Sequence, residues 1–311
     1  GATFCETPHI EAMAKSGMTC NRFYPGGPNC APTRACIVTG MYTPRHHLYQ
    51  PGGMSKGAVK KMRWKVPTRN QGKKYQTFQS NKNTIDGHWI SIAEILKPVG
   101  YTTARIGKWH LGNDEQGFDL STNDGIHPFF EVKSTFYGDI DVGRQLTDRT
   151  LQFIEDNRSR PFMIYLNHWD AHSPMRARPE LIRIYEKKKQ TFAGDQRFDW
   201  NPIYAAAVAV VDRSVGRIRV KLRELGIEQN TLVIFTSDNG GDAQFTANLP
   251  LHGAKGSLFE GGIRTPFVAV WPNIIQPGTN SDEPITGVDI LPTFAEIAGA
   301  ALPTTQPVDG Q

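Results

Sequence analysis

Apolar positions along this chain recur at two spacings, and the two spacings alternate. "TPHIEAMAKSG" reads as a short helix, with Thr7 as cap, Pro8 in the first turn and Gly17 as terminator. "MTCNRFY" then alternates as a strand does. "APTRACIVTG" is a second helix, with Pro32 near its start and Gly40 closing it. "HWISIAEILKPVG" returns to helical spacing, and "YTTARIG" follows as a strand. The helix "RQLTDRTLQFIEDN" precedes "PFMIYLNHW", a buried strand. A long amphipathic helix, "PIYAAAVAVVDRSVGRIRVKLRELG", leads to the strand and turn "TLVIFTSDNGG". The strand "TPFVAVWP" and the helix "DILPTFAEIAG" complete the series.

Helix–strand alternation of this kind predicts an α/β fold, with a largely parallel sheet covered by helices on both faces. No internal repeat and no linker interrupts it, so one domain is expected.

Composition fits that picture. At 311 residues and 39% hydrophobic, the chain has the make-up of a globular protein, not a disordered or fibrous one. No apolar run approaches the ~20 residues that span a bilayer. The first residues lack the charged and apolar regions of a signal peptide and begin without Met, so both ends are expected to be cut. Formal charge is +5, and most of the local excess lies between Lys56 and Lys74, a run without a single acid. A solvated loop is the plain reading of such a run. The sharper reading is a landing surface for an anionic polymer. Trp64 is its only stacking residue and no DNA- or RNA-binding motif is present, so nucleic acid is not expected as a partner.

Cys5, Cys20, Cys30 and Cys36 have neither CxxC nor zinc-finger spacing, which argues against a structural metal knot. A Cys5–Cys20 disulfide is open.

In sheets of this kind, chemistry gathers on the loops after the carboxyl ends of the strands. Cys30 and Arg34 follow the first strand. Lys108 and His110 follow "YTTARI"; His168, Asp170 and His172 follow "PFMIYL"; Asp238 and Asn239 follow "TLVIFT". Lys255 lies in the Gly-rich stretch before "TPFVAVW". Singly, each has a plain structural alternative. "SDNGG" is also a positive-φ turn, one of the two histidines in "NHWDAHSP" is also a core group bonded to backbone, and Glu260 and Arg264 could simply pair. Cys30 is also a small buried hydrophobe, though a helix N-terminus would lower its pKa and attract anions. A cysteine-protease reading leaves two lysines, an arginine and an Asp-Asn pair unexplained. A sulfate or phosphate site uses all of them: cations for the oxyanion, oxygen ligands for a hard metal, a nucleophile and an acid.

Here "CAPTRACIVTG" resembles the C-x-P-x-R signature of the type I, formylglycine-dependent sulfatases, within the alkaline-phosphatase-like superfamily. "GYTTARIGKWHLG" resembles the second signature, and "SDNGG", "HGAKGSLFEGGIRTPFVAVWP" and "VDILPTFAEIAGA" resemble later blocks, in order. The resemblance covers nearly the whole chain. It implies an alkaline-phosphatase-like α/β sandwich and a sulfatase catalytic domain over residues 1–311, truncated at both ends.

It also implies roles. Cys30 would be converted by a formylglycine-generating enzyme to Cα-formylglycine, whose hydrate offers one hydroxyl to attack sulfur and a second to expel sulfate. Arg34 would hold that group. Lys108 and Lys255 would bind sulfate oxygens, His110 would be the base for sulfate elimination, and His172 would serve the leaving oxygen. Asp238 and Asn239 would ligate Ca²⁺, while His168 and Asp170 rank lower, as substrate-side contacts. The adjacent aspartates that complete the family's metal site have no counterpart before Thr7, nor is the small C-terminal subdomain matched. The substrate would be a small-molecule or glycan sulfate ester, and the compartment periplasmic or extracellular. Two rivals stand beside this reading: a phosphomonoester or phosphonate hydrolase of the same superfamily, and a non-catalytic binder of sulfated polymer.

Overall fold

The computed structural model describes residues 4–51, 82, 84–112, 116–122, 140–193 and 200–311. The basic run Lys56–Lys74, with Trp64, lies outside the described residues.

Among the described residues, eight strands form two sheets. β1 (Met18–Tyr24) is central to the first, with the order β5 (Val233–Thr236), β6 (Thr265–Val270), β1, β7 (Thr279–Ser281), and β8 (Ile285–Thr286) also pairs with β1. β6 runs antiparallel to both of its neighbours, whereas β7 and β8 are parallel to β1. The second sheet, β3 (Leu120–Ser121), β2 (Thr102–Gly107) and β4 (Phe162–Asn167), is wholly parallel. The expected parallel character thus holds everywhere except at β6. That exception matters, because the start of β6 falls at the carboxyl ends of β1 and β5.

Helices cover both faces of each sheet. Ala104 and Ile106 of β2 pack on Val142 and Leu146 of the helix Val142–Asn157. On the opposite face, Met163 of β4 joins the helices Cys30–Thr39, Ile92–Leu96 and Ile290–Ala298. In the first sheet, Val268 and Val270 meet Met13 of the helix Pro8–Ser16, while Phe23 and Phe267 stack on the other side. Full burial of such side chains is worth about 1.5–3 kcal/mol each.

Local signals explain most helix ends. Gly40 and Gly299 close their helices in the left-handed conformation, at φ 67° and 66°. Ser91 and Glu94 form a capping box that starts the helix Ile92–Leu96 later than apolar spacing alone suggests. One expectation is corrected. The Thr7 side chain donates to Glu11, and the free amides of His9 and Ile10 are instead bonded by Asp212 of the long helix Pro202–Glu224, at 2.8–3.2 Å. Gly17 directly follows the last helical residue, as expected, at φ −144° and so without a left-handed turn. It is glycine because a Cβ there would lie 2.2 Å from the Ala269 carbonyl oxygen.

Among the described residues β4 and β5 are outer strands of their sheets and only partly buried, although "PFMIYL" reads as a buried strand. With a neighbour on one flank only, an apolar strand keeps part of its surface open. The helix Pro179–Thr191, absent from the pattern reading, buries Leu181 and Tyr185 beside Phe4. All four cysteines are free, so Cys5 and Cys20 are not joined. Among the described residues, no helix is long and apolar enough to cross a membrane.

Candidate active site

Four loops follow the ends of β1, β2, β4 and β5, and a fifth precedes the antiparallel β6. All five reach one place, and Cys30 is at its centre. Cys30 is the first residue of its helix and 2% exposed. The Lys108 Nζ donates to its Sγ at 3.1 Å, and the Asn239 Oδ1 lies 3.4 Å away. His110 and His172 reach the same sulfur closely enough to lower its pKa.

Burial and the Asp238 carboxylate push the Cys30 thiol up, but the hydrogen bonds from His110 and His172 and the charge of Lys108 outweigh them and bring it down to about 5. Three side chains from other loops thus lower this thiol. Cys36, two turns along the same helix, behaves oppositely. Burial pushes its thiol up to about 12, and its sulfur lies 3.6 Å from His46 Nε2 and 3.7 Å from the Gly26 carbonyl. One helix thus carries a thiolate and an inert thiol.

Arg34 is the second anchor. Its Nε and Nη2 both donate to the Asp238 Oδ2, at 3.1 and 2.7 Å, and its Nη1 donates to the Lys108 carbonyl at 2.7 Å. Burial would raise the Asp238 carboxyl, yet Arg34, Lys108 and Lys255 hold it at about 2. For Lys108, burial wins over the attraction of Cys30 and lowers its pKa. Lys255 sits in the loop held to Gly241 by its own amide and to the turn before Cys30 by the Gly256 amide on Pro28, at 3.0 and 2.8 Å.

Backbone geometry brings these loops close. Gly107 adopts φ 91°, and a Cβ there would lie 2.1 Å from the Asn167 oxygen, so only glycine lets β2 hand over to Lys108 beside β4. His110 itself has φ 64°, a left-handed conformation uncommon for a residue with a side chain and frequent at active sites. Gly240 is not a positive-φ turn residue. It is required because a Cβ would meet the Gly261 carbonyl oxygen at 1.8 Å.

Cys30, Arg34, Lys108, His110, His172, Asp238 and Asn239 are thus assembled, with Lys255 at the Asp238 side. His168 and Asp170 are elsewhere. They bond to one another at 3.2 Å, and His168 bonds to Ser214 at 2.9 Å, which turns them into the protein and corrects the expectation of substrate-side contacts. Glu260 and Arg264 do pair, at 3.3 Å. The reading of the chain missed Trp169, over whose ring the Lys108 ammonium lies at 4.5 Å. Its place between two singled-out residues was the available signal.

As a cation site the described residues are incomplete. Asp238 and Asn239 supply two oxygen donors, and three cations crowd the single carboxylate. Calcium takes about 6–8 oxygens, and no cluster of three or more acidic, His or Cys ligands exists among the described residues. This set alone does not fit the ion.

The fold is that of an alkaline-phosphatase-like α/β protein, and its strand-end loops gather Arg34, Lys108, Lys255 and two histidines about Cys30 and Asp238. The sequence model of the sulfatase family matches residues 2–300, and the chain belongs to that family. It is 28% identical to N-acetylgalactosamine-6-sulfatase of Mus musculus, over 98% of this chain and 60% of that protein. It therefore spans about 60% of the length of that curated relative. Among solved structures, "Ps i-CgsB in complex with k-i-k-neocarrahexaose" superposes with TM-score 0.77 at 27% identity, over 100% of this chain and 70% of the other. A phosphonate monoester hydrolase from Silicibacter pomeroyi superposes with TM-score 0.66 at 18% identity, over 100% of this chain and 71% of the other, and so shares the fold.

Proposed function

We propose that this chain is the catalytic domain of a sulfuric ester hydrolase acting on a sulfate monoester. The observation that carries the reading is the Cys30 thiol, held among Lys108, His110 and His172 and lowered to about 5. A buried nucleophile position surrounded by cations and imidazoles suits an ester whose non-bridging oxygens carry negative charge. Family membership supports sulfate as that oxyanion.

Conversion of Cys30 to formylglycine by a modifying enzyme would supply, on hydration, an oxygen nucleophile that can later release sulfate. This chain's own residues do the rest. Lys108 and Lys255 bind the sulfate oxygens and offset charge as it builds on them. Arg34, locked by Asp238 and the Lys108 carbonyl, keeps residue 30 in place. His172 gives a proton to the departing alcohol oxygen, and His110 takes one from the group at position 30 as sulfate leaves. Asp238 and Asn239 are the donors this chain would offer to Ca²⁺, and no step here passes through that ion. A glycan sulfate is the substrate class suggested by the neighbour in complex with k-i-k-neocarrahexaose, and a periplasmic or extracellular location fits such a polymer.

The test uses protein in which Cys30 has been converted, confirmed by intact peptide mass, with paired sulfate and phosphate monoesters. Hydrolysis of the sulfate ester that is lost in Cys30→Ala and kept in Cys36→Ala supports the reading. Preference for the phosphate ester would move the chain to phosphoesterase chemistry, and no turnover on either would leave the non-catalytic binder.

A further inference from the structure

We propose that Trp169 is a positioning residue of this site: it seats the Lys108 ammonium and the His172 ring beside Cys30, and a buried side-chain relay holds it from behind. The inference rests on the oxyanion reading above and adds to it a residue that touches two of its groups.

Trp169 is 6% exposed. The Lys108 Nζ lies over its face, 4.5 Å from the ring centroid, and 3.1 Å from the Cys30 Sγ. One ammonium is therefore fixed between a sulfur and an indole. His172 meets the same indole edge-on, at 5.9 Å between centroids and 86° between planes. Burial penalises the Lys108 charge, and the negative face of an aromatic ring, strongest for an indole, attracts a cation while excluding water. A flat ring at this point sets the distance between the lysine and the histidine.

The loop is pinned on both sides of Trp169. His168 Nδ1 meets the Asp170 Oδ2 at 3.2 Å, and its Nε2 meets the Ser214 Oγ at 2.9 Å. Thr147 Oγ1 bonds to Ser214 at 2.8 Å and reaches the Gly143 carbonyl at 2.6 Å. The relay thus ties the loop to the helices Val142–Asn157 and Pro202–Glu224. Asp170 completes the clamp against Gly143, where a Cβ would fall 2.3 and 2.4 Å from its two carboxylate oxygens. A Ser–His–Asp set of this kind is familiar from nucleophilic catalysis. Here Ser214 is 1% exposed and its hydroxyl is bonded to Thr147, so no substrate reaches it. The relay anchors.

Calorimetric titration of inorganic sulfate into the folded chain tests this, with thermal melts alongside. Trp169→Met fills the space without a π face and should weaken sulfate binding about tenfold. Trp169→Phe keeps a face and should stay within about threefold of the parent. Ser214→Ala, remote from the anion, should weaken binding about threefold by loosening the loop. A folded Trp169→Met that binds as the parent does, or a Phe variant as poor as Met, overturns the proposal alone. If Trp169→Met does not fold, unchanged affinity in Ser214→Ala overturns it. A parent chain that binds no sulfate overturns the oxyanion reading and this proposal together.

Discussion

Arg34 places two nitrogens on one oxygen of Asp238, at 3.1 and 2.7 Å, and the pair joins the first helix after β1 to the loop after β5. The arginine side chain is 5% exposed and the aspartate 20%. Arg34 is thus a structural tie as well as a neighbour of Cys30.

Removing one partner of a buried pair strands the other, at a cost of about 3–5 kcal/mol. Asp238→Asn should therefore lower unfolding stability by that order, and Arg34→Met likewise. The double variant should lose clearly less than the sum. Urea unfolding of the four proteins closes the cycle, and full additivity would show that the two groups do not depend on each other.

In the unmodified chain, Cys30 should titrate near pH 5 and Cys36 should stay protonated through neutral pH. Alkylation followed by peptide mass across pH reads both. Lys108→Met should move the Cys30 midpoint upward, because a cation 3.1 Å from sulfur is lost. Equal alkylation of both thiols at pH 6 would contradict the opposed tuning.

Lys255→Met should depress turnover on a small aryl sulfate and on a sulfated oligosaccharide alike, by about a hundredfold, as for loss of one preorganised charge contact. A selective loss on the oligosaccharide would place Lys255 at the remainder of the substrate instead.

His46 is buried, and burial, then the neighbouring His47, lower its pKa to about 4. Its Nδ1 accepts from the Leu48 amide at 3.1 Å, which leaves Nε2 to face Cys36. Between pH 6.5 and about 4 the unfolded chain binds a proton that the folded chain refuses. Stability should therefore fall as pH drops through that window, by about 3 kcal/mol in all. His46→Gln should flatten that part of the stability–pH curve, and an unchanged slope would assign it to other groups.

Much of this protein is legible in its residue order. The helix Cys30–Thr39 with its Gly40 cap, the strands β1, β2 and β6, and the final helix closed by Gly299 follow from periodicity and local capping, which act over a few residues. The residues that gather around Cys30 were also legible as a group, because their loops lie at strand ends and carry residue types that a tight turn does not need. Other features required the packed chain. Asp212 caps a helix far behind it in sequence, and Gly17 and Gly240 are glycine because another backbone lies within about 2 Å of where their Cβ would stand. The antiparallel course of β6, which carries the Lys255 loop to the carboxyl edge, depends on which strand its hydrogen bonds find. Nothing within "TPFVAVWP" specifies that partner. The opposed pKa values of Cys30 and Cys36 are tertiary too. Both sit on one short helix in apolar surroundings, and only the arrival of His110, His172 and Lys108 from other loops makes one of them a thiolate. Local order could name the groups, but distance decides their charge, since Coulomb energies and hydrogen bonds fall off over a few ångströms of space and are indifferent to separation along the chain.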